Sequence, residues 1–512
     1  MPNRLGIITL IIILLLGAGI ACARSVVPDD SPSWIVPGQG AVAQSQVEAP
    51  TQSLLLPPTR APGDPILTPT PDAPHLIPTL RTDPAEYVVQ PGDTLGTIAQ
   101  RYGVSLEEVI SANALVNPNI LEVGQSLTIP VPTPFGNGPS FKVIPDSELV
   151  YGPTSAGFNI DQFIQSQGGY LARYREDIEE KPFTGSQIVQ LVAQNYSVNP
   201  RLLLAALEYQ SGWVTQSKPD EFTLEYPMGL VNEWRRKSLY RQLAWSANQL
   251  NLGYYLWRVN GVSTWLLGDG SVVPVDPTIN AGTAGVQQLF APLYGREEWV
   301  KAVSAEGLFA TYNALFGYPF DLAIEPYLPL GLTQPNFQLP FEPGRPWAFT
   351  GGPHGGWDNG SAWAALDFAP PSNALGCIPS DDWVTAIADG QILRAENGAV
   401  LQDLDGDGLE QTGWSILYLH VESRDRVEPG RFLKTGDRIG HPSCEGGVSS
   451  GTHVHVARKY NGEWIPADQQ LPFVLDGWVS RGTGELYDGY LEKNGKRIEA
   501  YEGRSAENII QR

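Results

Sequence analysis

Positive charge is scarce in this 512-residue chain, where 33 Lys and Arg stand against 55 Asp and Glu for a formal net charge of −22. A phosphate backbone needs a basic face, so nucleic acid is excluded as a partner. Cysteine is scarcer still: only Cys22, Cys377 and Cys444 occur, which excludes a densely stapled small scaffold. Histidine is limited to His75, His354, His420, His441, His453 and His455, five of the six in the last third of the chain. Imidazole is the commonest metal ligand and the usual acid–base group near neutral pH, so that crowding marks where chemistry sits. Long apolar runs are confined to one place, Leu5–Leu16. What the chain has in quantity is glycine (54), proline (44) and aromatics (10%, with 14 Trp). Wholesale disorder is thereby excluded, and turn-rich domains joined by extended linkers are expected. The length suits about three domains.

Arg4, the apolar run and the small residues Gly17-Ala-Gly-Ile-Ala-Cys22 read as a secretion signal over residues 1–22. The Cys after Gly-Ile-Ala resembles a bacterial lipobox. That implies a lipid-modified Cys22 and a membrane attachment; an uncleaved membrane helix is the alternative. Both put the remainder outside the cytoplasm, in a bacterial cell envelope, where disulfides can form. Residues 23–84 are Pro-rich without apolar periodicity and read as a disordered, extended linker, in which His75 is expected to be solvated and inert.

Residues 86–130 read as a βααβ unit. Tyr87-Val-Val-Gln alternates like a strand, Pro91-Gly-Asp-Thr turns into a helix, Ser105-Leu-Glu-Glu is a capping box for a second helix, and Gln125-Ser-Leu-Thr-Ile-Pro closes as a strand. In order, these blocks resemble a LysM domain, which implies binding of N-acetylglucosamine chains in peptidoglycan or chitin. Its groove would involve Gly92, Asp93, Thr94, Asn119 and Ile120, the bland alternative being that Gly92 and Asp93 merely form a turn.

Residues 140–340 read as helical. The segment from Val198 to Gly212, with Pro200 at its start, resembles the catalytic helix of lysozyme-like lytic transglycosylases. Those enzymes carry a Glu directly before the Ser; here that position is Gln210. An amide cannot hand over a proton. Glu208, two residues earlier, lies about 200° round the helix and faces elsewhere. The expectation is a lysozyme-like helical domain, non-catalytic, that spaces or assists.

Residues 341–480 are turn-rich with short alternating segments that read as an antiparallel sheet. In Gly451-Thr-His-Val-His-Val, His453 and His455 share one strand face and the valines share the other. Two neighbouring imidazoles are awkward in a plain core, and a metal removes that difficulty for one of them. Further candidates are His354 in Gly-Gly-Pro-His, Asp367 in Ala-Leu-Asp-Phe and His420 in Tyr-Leu-His. His441 matches no motif position and reads as a loop residue.

With Cys444-Glu-Gly-Gly-Val-Ser-Ser-Gly-Thr-His-Val-His455, these blocks resemble the lysostaphin and beta-lytic zinc endopeptidases. The beta-lytic, staphylolysin-like branch is nearest. The lysostaphin spacing would put a His at 363, where this chain has Trp, whereas the longer His354-to-Asp367 interval suits the beta-lytic branch. The resemblance implies that His354, Asp367 and His455 bind Zn²⁺ and that His420 and His453 line an open fourth position. One imidazole, His453 by preference, would orient or deprotonate water, and the other would stabilise the oxyanion or protonate the leaving amine. Cys377 and Cys444 suggest one disulfide, as the resemblance also implies; two free thiols are the alternative. Asp403, Asp405 and Asp407 resemble the start of a Ca²⁺ loop, but the twelfth position is Trp414, and an acidic hairpin turn is the alternative.

The expected architecture is thus multidomain α+β. A LysM module, a helical middle domain and an antiparallel-sheet zinc peptidase domain are followed by a C-terminal extension at 481–512. The expected activity is hydrolysis of peptide bonds in peptidoglycan cross-links by an exported, membrane-anchored lipoprotein. The rivals are a non-catalytic peptidoglycan-binding scaffold or amidase activator, and a glycan-cleaving enzyme acting through the middle domain.

Overall fold

The computed structural model describes residues 75, 81–90, 93–131, 137–231, 236–372 and 376–512. The expected signal segment with Cys22, most of the linker, and Gly92 lie outside the described residues. Among the described residues, no helix is long and apolar enough to cross a membrane.

Strand Ala85–Val88 pairs antiparallel with Ser126–Ile129, and helices Leu95–Tyr102 and Leu106–Ala112 lie between them in sequence. Alternation along the strands and helical spacing between them converge on Leu95, Ile98, Val109, Leu127 and Ile129, all buried. The second helix starts where the sequence provides a capping box: Ser105 Oγ accepts from Glu108 N–H, and the Glu108 carboxylate accepts from Ser105 N–H.

From residue 137 to about 327 the chain is mainly helical. Helix Pro200–Ser211 begins at a proline, with the Asn199 side chain accepting from Arg201 N–H, and ends at Gly212 in the left-handed region. Nearby, the buried Arg201 and Glu148 pair at 2.9 Å. The long helix Leu239–Arg258 packs on Ala281–Phe290 and Gly185–Tyr196. His75 is not a free solvated residue: its ring stacks on Trp257 at 4.2 Å, and its backbone N–H donates to Pro277 O at 2.8 Å.

The C-terminal part is built on an antiparallel sheet. Along it run Phe432–Leu433, Gly390–Glu396, Ala399–Asp403, Trp414–Leu419, Val454–Tyr460, Ala365–Ala369, Trp347–His354 and Ile509–Ile510, with Glu463–Trp464 paired to Val454–Tyr460. The period of two gives the sheet two apolar faces. Leu366, Phe368, Ile416, Tyr418, Val454 and Val456 enter one core. Ala365, Ala399, Leu401, Leu417, Leu419 and Ala457 enter another, which is continuous with the core of the helical part. The helical part is therefore more than a spacer: it covers one face of the sheet. Hydrogen bonds cross the same boundary, from Ser197 Oγ to Gly462 O at 2.6 Å and from Trp464 N–H to Tyr255 Oη at 3.0 Å.

Residues 481–512 are woven into this body. Strands Trp478–Gly482, Gly489–Lys493 and Lys496–Glu499 pair in succession, and Ile509–Ile510 pairs with Trp347–Ala348 at the sheet edge.

Candidate metal centre

His455 sits on a central strand, opposite Asp367 on one neighbour and Leu419 on the other. Its side chain therefore emerges on the face that the helical part covers, beside Ala457. Asp367 opposes Gly351 across the next pair, and register shifts on either side of Gly351 bring His354 round to the same place. Three residues separated by up to 101 positions thus present ligand atoms within 4.8 Å of one another, all buried.

The hydrogen bonds around them decide which nitrogens face inward. His354 Nδ1 lies 2.8 Å from Gly352 O, and His455 Nε2 lies 3.2 Å from Gly356 O. Each carbonyl takes a ring N–H, leaving lone pairs on His354 Nε2 and His455 Nδ1. These two nitrogens are 3.0 Å apart, and each is 3.3 Å from Asp367 Oδ1. Asp367 Oδ1 is buried and has no hydrogen-bond partner. Three electron-rich atoms in mutual contact repel one another unless a cation or proton lies between them, so the donor set fits a divalent ion of the zinc type. Burial pushes the Asp367 carboxyl up, but the imidazoles of His354 and His453 outweigh it and hold it well below the usual range. Burial opposes the charged form of His354, yet the Asp367 carboxylate raises its pKa. In His455 burial prevails and lowers it.

His420 and His453 stand beside this trio. Their ring centres are 4.4 Å apart, and His453 Nε2 is 3.8 Å from Asp367 Oδ1. His453 Nδ1 lies 2.7 Å from Gly451 O, and His420 Nδ1 lies 2.9 Å from Glu445 O, which orients both rings. Burial, then the neighbouring His453 and His455, push the His420 pKa well below its ordinary value, favouring neutral imidazole. His420 has φ +65°, a region a non-glycine residue adopts only when its surroundings hold it there. Ser443 does so, donating to His420 O through its backbone N–H at 2.7 Å.

Other expected residues are also accounted for. Cys377 and Cys444 form a disulfide. The carboxylates of Asp403, Asp405 and Asp407 cluster within 4.8 Å, with only Asp403 buried. Asp93 accepts from Tyr87 Oη at 2.6 Å and from Gln90 N–H at 2.7 Å, the work of a turn former. Thr94 Oγ1 accepts from Thr97 N–H, while Asn119 and Ile120 lie exposed. Gln210 Oε1 accepts from Tyr294 Oη at 2.5 Å. The Glu208 carboxylate is engaged by Val214 N–H, Thr215 N–H and Thr215 Oγ1, away from Gln210. His441 is buried against Trp383, with ring centres 3.9 Å apart.

The sequence reading missed one residue at the centre. Tyr487 stacks on His354 at 4.2 Å with 22° between ring planes. Its carbonyl accepts from Gly352 N–H at 2.7 Å and its N–H donates to Pro353 O at 3.2 Å. It lies in the 481–512 segment, and nothing in its spacing from the histidines announces it.

Comparison with known proteins supplies the context. The LysM domain model matches residues 87–130, and the model described as the LasA N-terminal domain matches residues 142–327. The chain resembles a LysM domain joined to an M23 metallopeptidase. Protease LasA of Pseudomonas aeruginosa is 24% identical over 347 residues, covering 62% of this chain and 74% of that protein. The beta-lytic metalloendopeptidase of Achromobacter lyticus is 28% identical over 172 residues, covering 31% of this chain and 43% of that protein. Among solved structures, the M23 metalloprotease pseudoalterin aligns at 25% identity, covering 35% of this chain and all of that one, with a TM-score of 0.28. The LysM match, LasA and the beta-lytic endopeptidase support a peptidase with a peptidoglycan-related role. The match over residues 142–327 is to the LasA N-terminal domain, a likeness the sequence reading, drawn to the helix at Pro200–Ser211, did not name.

Proposed function

We propose that this protein is an exported, zinc-dependent endopeptidase that hydrolyses peptide bonds in peptidoglycan cross-links, with residues 86–130 docking it on glycan. The observation that carries the reading is the convergence of His354 Nε2, His455 Nδ1 and the unpartnered Asp367 Oδ1 beside two further imidazoles. When bound there, Zn²⁺ would polarise the scissile carbonyl and lower the pKa of a bound water. The chain's own part is positional. The Gly352 and Gly356 carbonyls fix the tautomers of the two histidine ligands. His453, its Nδ1 directed at Gly451 O, keeps Nε2 available to take a proton from water. His420 directs Nδ1 at Glu445 O and is kept neutral by burial, so its Nε2 is bare; it would serve the leaving amine or the developing oxyanion only after taking up a proton released from the attacking water. The 3.8 Å between His453 Nε2 and Asp367 Oδ1 supports giving the water to His453. Export would run through residues 1–22 with a lipid at Cys22, and tethering would raise the local concentration of wall substrate. In helix Pro200–Ser211, an amide stands at Gln210 and the Glu208 carboxylate is engaged by Val214 and Thr215, which speaks against glycan cleavage through that helix.

Digestion of purified sacculi tests this. New amino groups support the endopeptidase; new reducing sugar ends point to glycan cleavage; neither product points to a binding scaffold or amidase activator.

A further inference from the structure

His354 is followed by Gly355-Gly-Trp-Asp-Asn-Gly-Ser361, a loop that contributes no ligand. It contributes an acceptor instead, because Gly356 O takes the His455 Nε2 proton at 3.2 Å and so turns Nδ1 toward Asp367. Internal bonds close the loop: Trp357 N–H donates to Ser361 Oγ at 2.9 Å, and Gly356 N–H to Ala362 O at 3.0 Å. They do not determine where the closed loop sits. The helical middle domain does.

Gly360 N–H donates to Asn248 Oδ1 at 2.7 Å, Asn248 Nδ2 donates to Asn359 Oδ1 at 2.6 Å, and Tyr196 Oη donates to Asp358 Oδ2 at 3.2 Å. Trp357 is buried in the shared core, edge-on to Tyr196 with ring centres 6.4 Å apart. Two glycines let the pieces approach this closely. A Cβ on Gly360 would collide with the Asn248 carbonyl, and one on Gly356 would lie 2.6 Å from the Trp464 indole. The loop is a thin shim between a metal ligand and the helix Leu239–Arg258.

We infer that the middle domain is a positioning part of the metal centre. Asn248 and Tyr196, acting through residues 355–361, hold the Gly356 carbonyl that orients His455, so metal retention depends on a domain that supplies no ligand. The inference rests on the zinc reading above and assigns a role to Asn248 and Tyr196 that neither motif nor spacing suggests. Loss of an outer partner of a metal-bound histidine typically costs about 10–100-fold in metal affinity.

The test is zinc affinity of the full-length protein, read by competition with a chromogenic chelator, with the melting temperature recorded alongside. Asn248→Ala should weaken zinc binding about tenfold, and Tyr196→Phe by a smaller factor in the same direction. Asn248→Asp should recover part of the affinity, since a carboxylate still accepts from Gly360 N–H and the Asn359 amide can turn over to donate to it. Tyr327→Phe removes a different bond across the same boundary, from Tyr327 Oη to Asn461 O. It should leave zinc affinity unchanged even where it lowers the melting temperature. Wild-type affinity in Asn248→Ala, or an equal loss in Tyr327→Phe, overturns the inference while leaving the zinc reading intact. If wild type and His455→Ala hold equally little zinc, the parent reading fails and this inference with it.

Discussion

Trp464→Ala should destabilise the helical and sheet parts together. The indole is 1% exposed, lies against Gly356, and has the Lys459 ammonium 5.2 Å from its ring centre. Its backbone N–H donates to Tyr255 Oη of the helical part. Removing a buried Trp side chain costs about 3–5 kcal/mol, from lost burial and the cavity left behind. If one continuous core makes the two parts a single cooperative unit, that cost is felt on both sides. Amides that exchange only through global unfolding should then exchange roughly a hundred- to several-thousand-fold faster. Hydrogen exchange read by mass spectrometry can follow helix Leu239–Arg258 and strand Val454–Tyr460 in the same sample. Acceleration by the same factor in both is the expected result. Faster exchange in the strand with unchanged protection in the helix would refute the shared core and return the middle domain to the status of a spacer.

Two further predictions follow from the periphery of the site. Cys377→Ser with Cys444→Ser should lower unfolding free energy by about 4 kcal/mol on the chain-entropy model, since the bridge spans 67 residues. Urea midpoints of oxidised wild type and the double variant measure this, and equal midpoints would show that the bridge constrains nothing. Partial desolvation beside the buried Asp403, followed by that residue's hydrogen bond and charge, pushes the surface-exposed Asp405 carboxyl up to about 7. With its folded pKa above the unfolded value of about 3.9, the protonated form favours folding, and that contribution is lost as pH rises through about 7. In chelator, the melting temperature should therefore fall between about pH 4 and about pH 7, and Asp405→Asn should flatten that fall. Added Ca²⁺ at the upper pH should restore the lost stability if the three aspartates take a cation, and no response to calcium removes that reading.

The convergence of His354, Asp367 and His455 was legible because each stands in a short glycine- or aromatic-flanked block that resembles the zinc endopeptidases, and because His453 and His455 carry the period of a strand. The disulfide was legible from the scarcity of cysteine. What escaped has physical reasons. The sheet face that meets the helical part alternates Leu401, Leu417 and Leu419 with Ala365, Ala399 and Ala457, and the alanines carry little of the hydrophobic signal that marks a buried face. Where both faces of a strand are apolar, the pattern does not say what covers the second one. Tyr487 escaped because its role comes from register, in a segment paired by backbone to the strand that ends at His354. The loop at 355–361 escaped because its contribution is a carbonyl, which no side-chain pattern records. His75 read as solvated because proline content says nothing about a single ring finding Trp257.

The central claim is that one divalent ion held by His354, Asp367 and His455 performs peptide hydrolysis. The most direct measurement is zinc content together with amino-group release from sacculi, on matched full-length preparations of wild type and His455→Ala. About one zinc per chain and steady amino-group release are expected for wild type, with both lost in the variant. Equal metal and equal release in the two proteins would contradict the account.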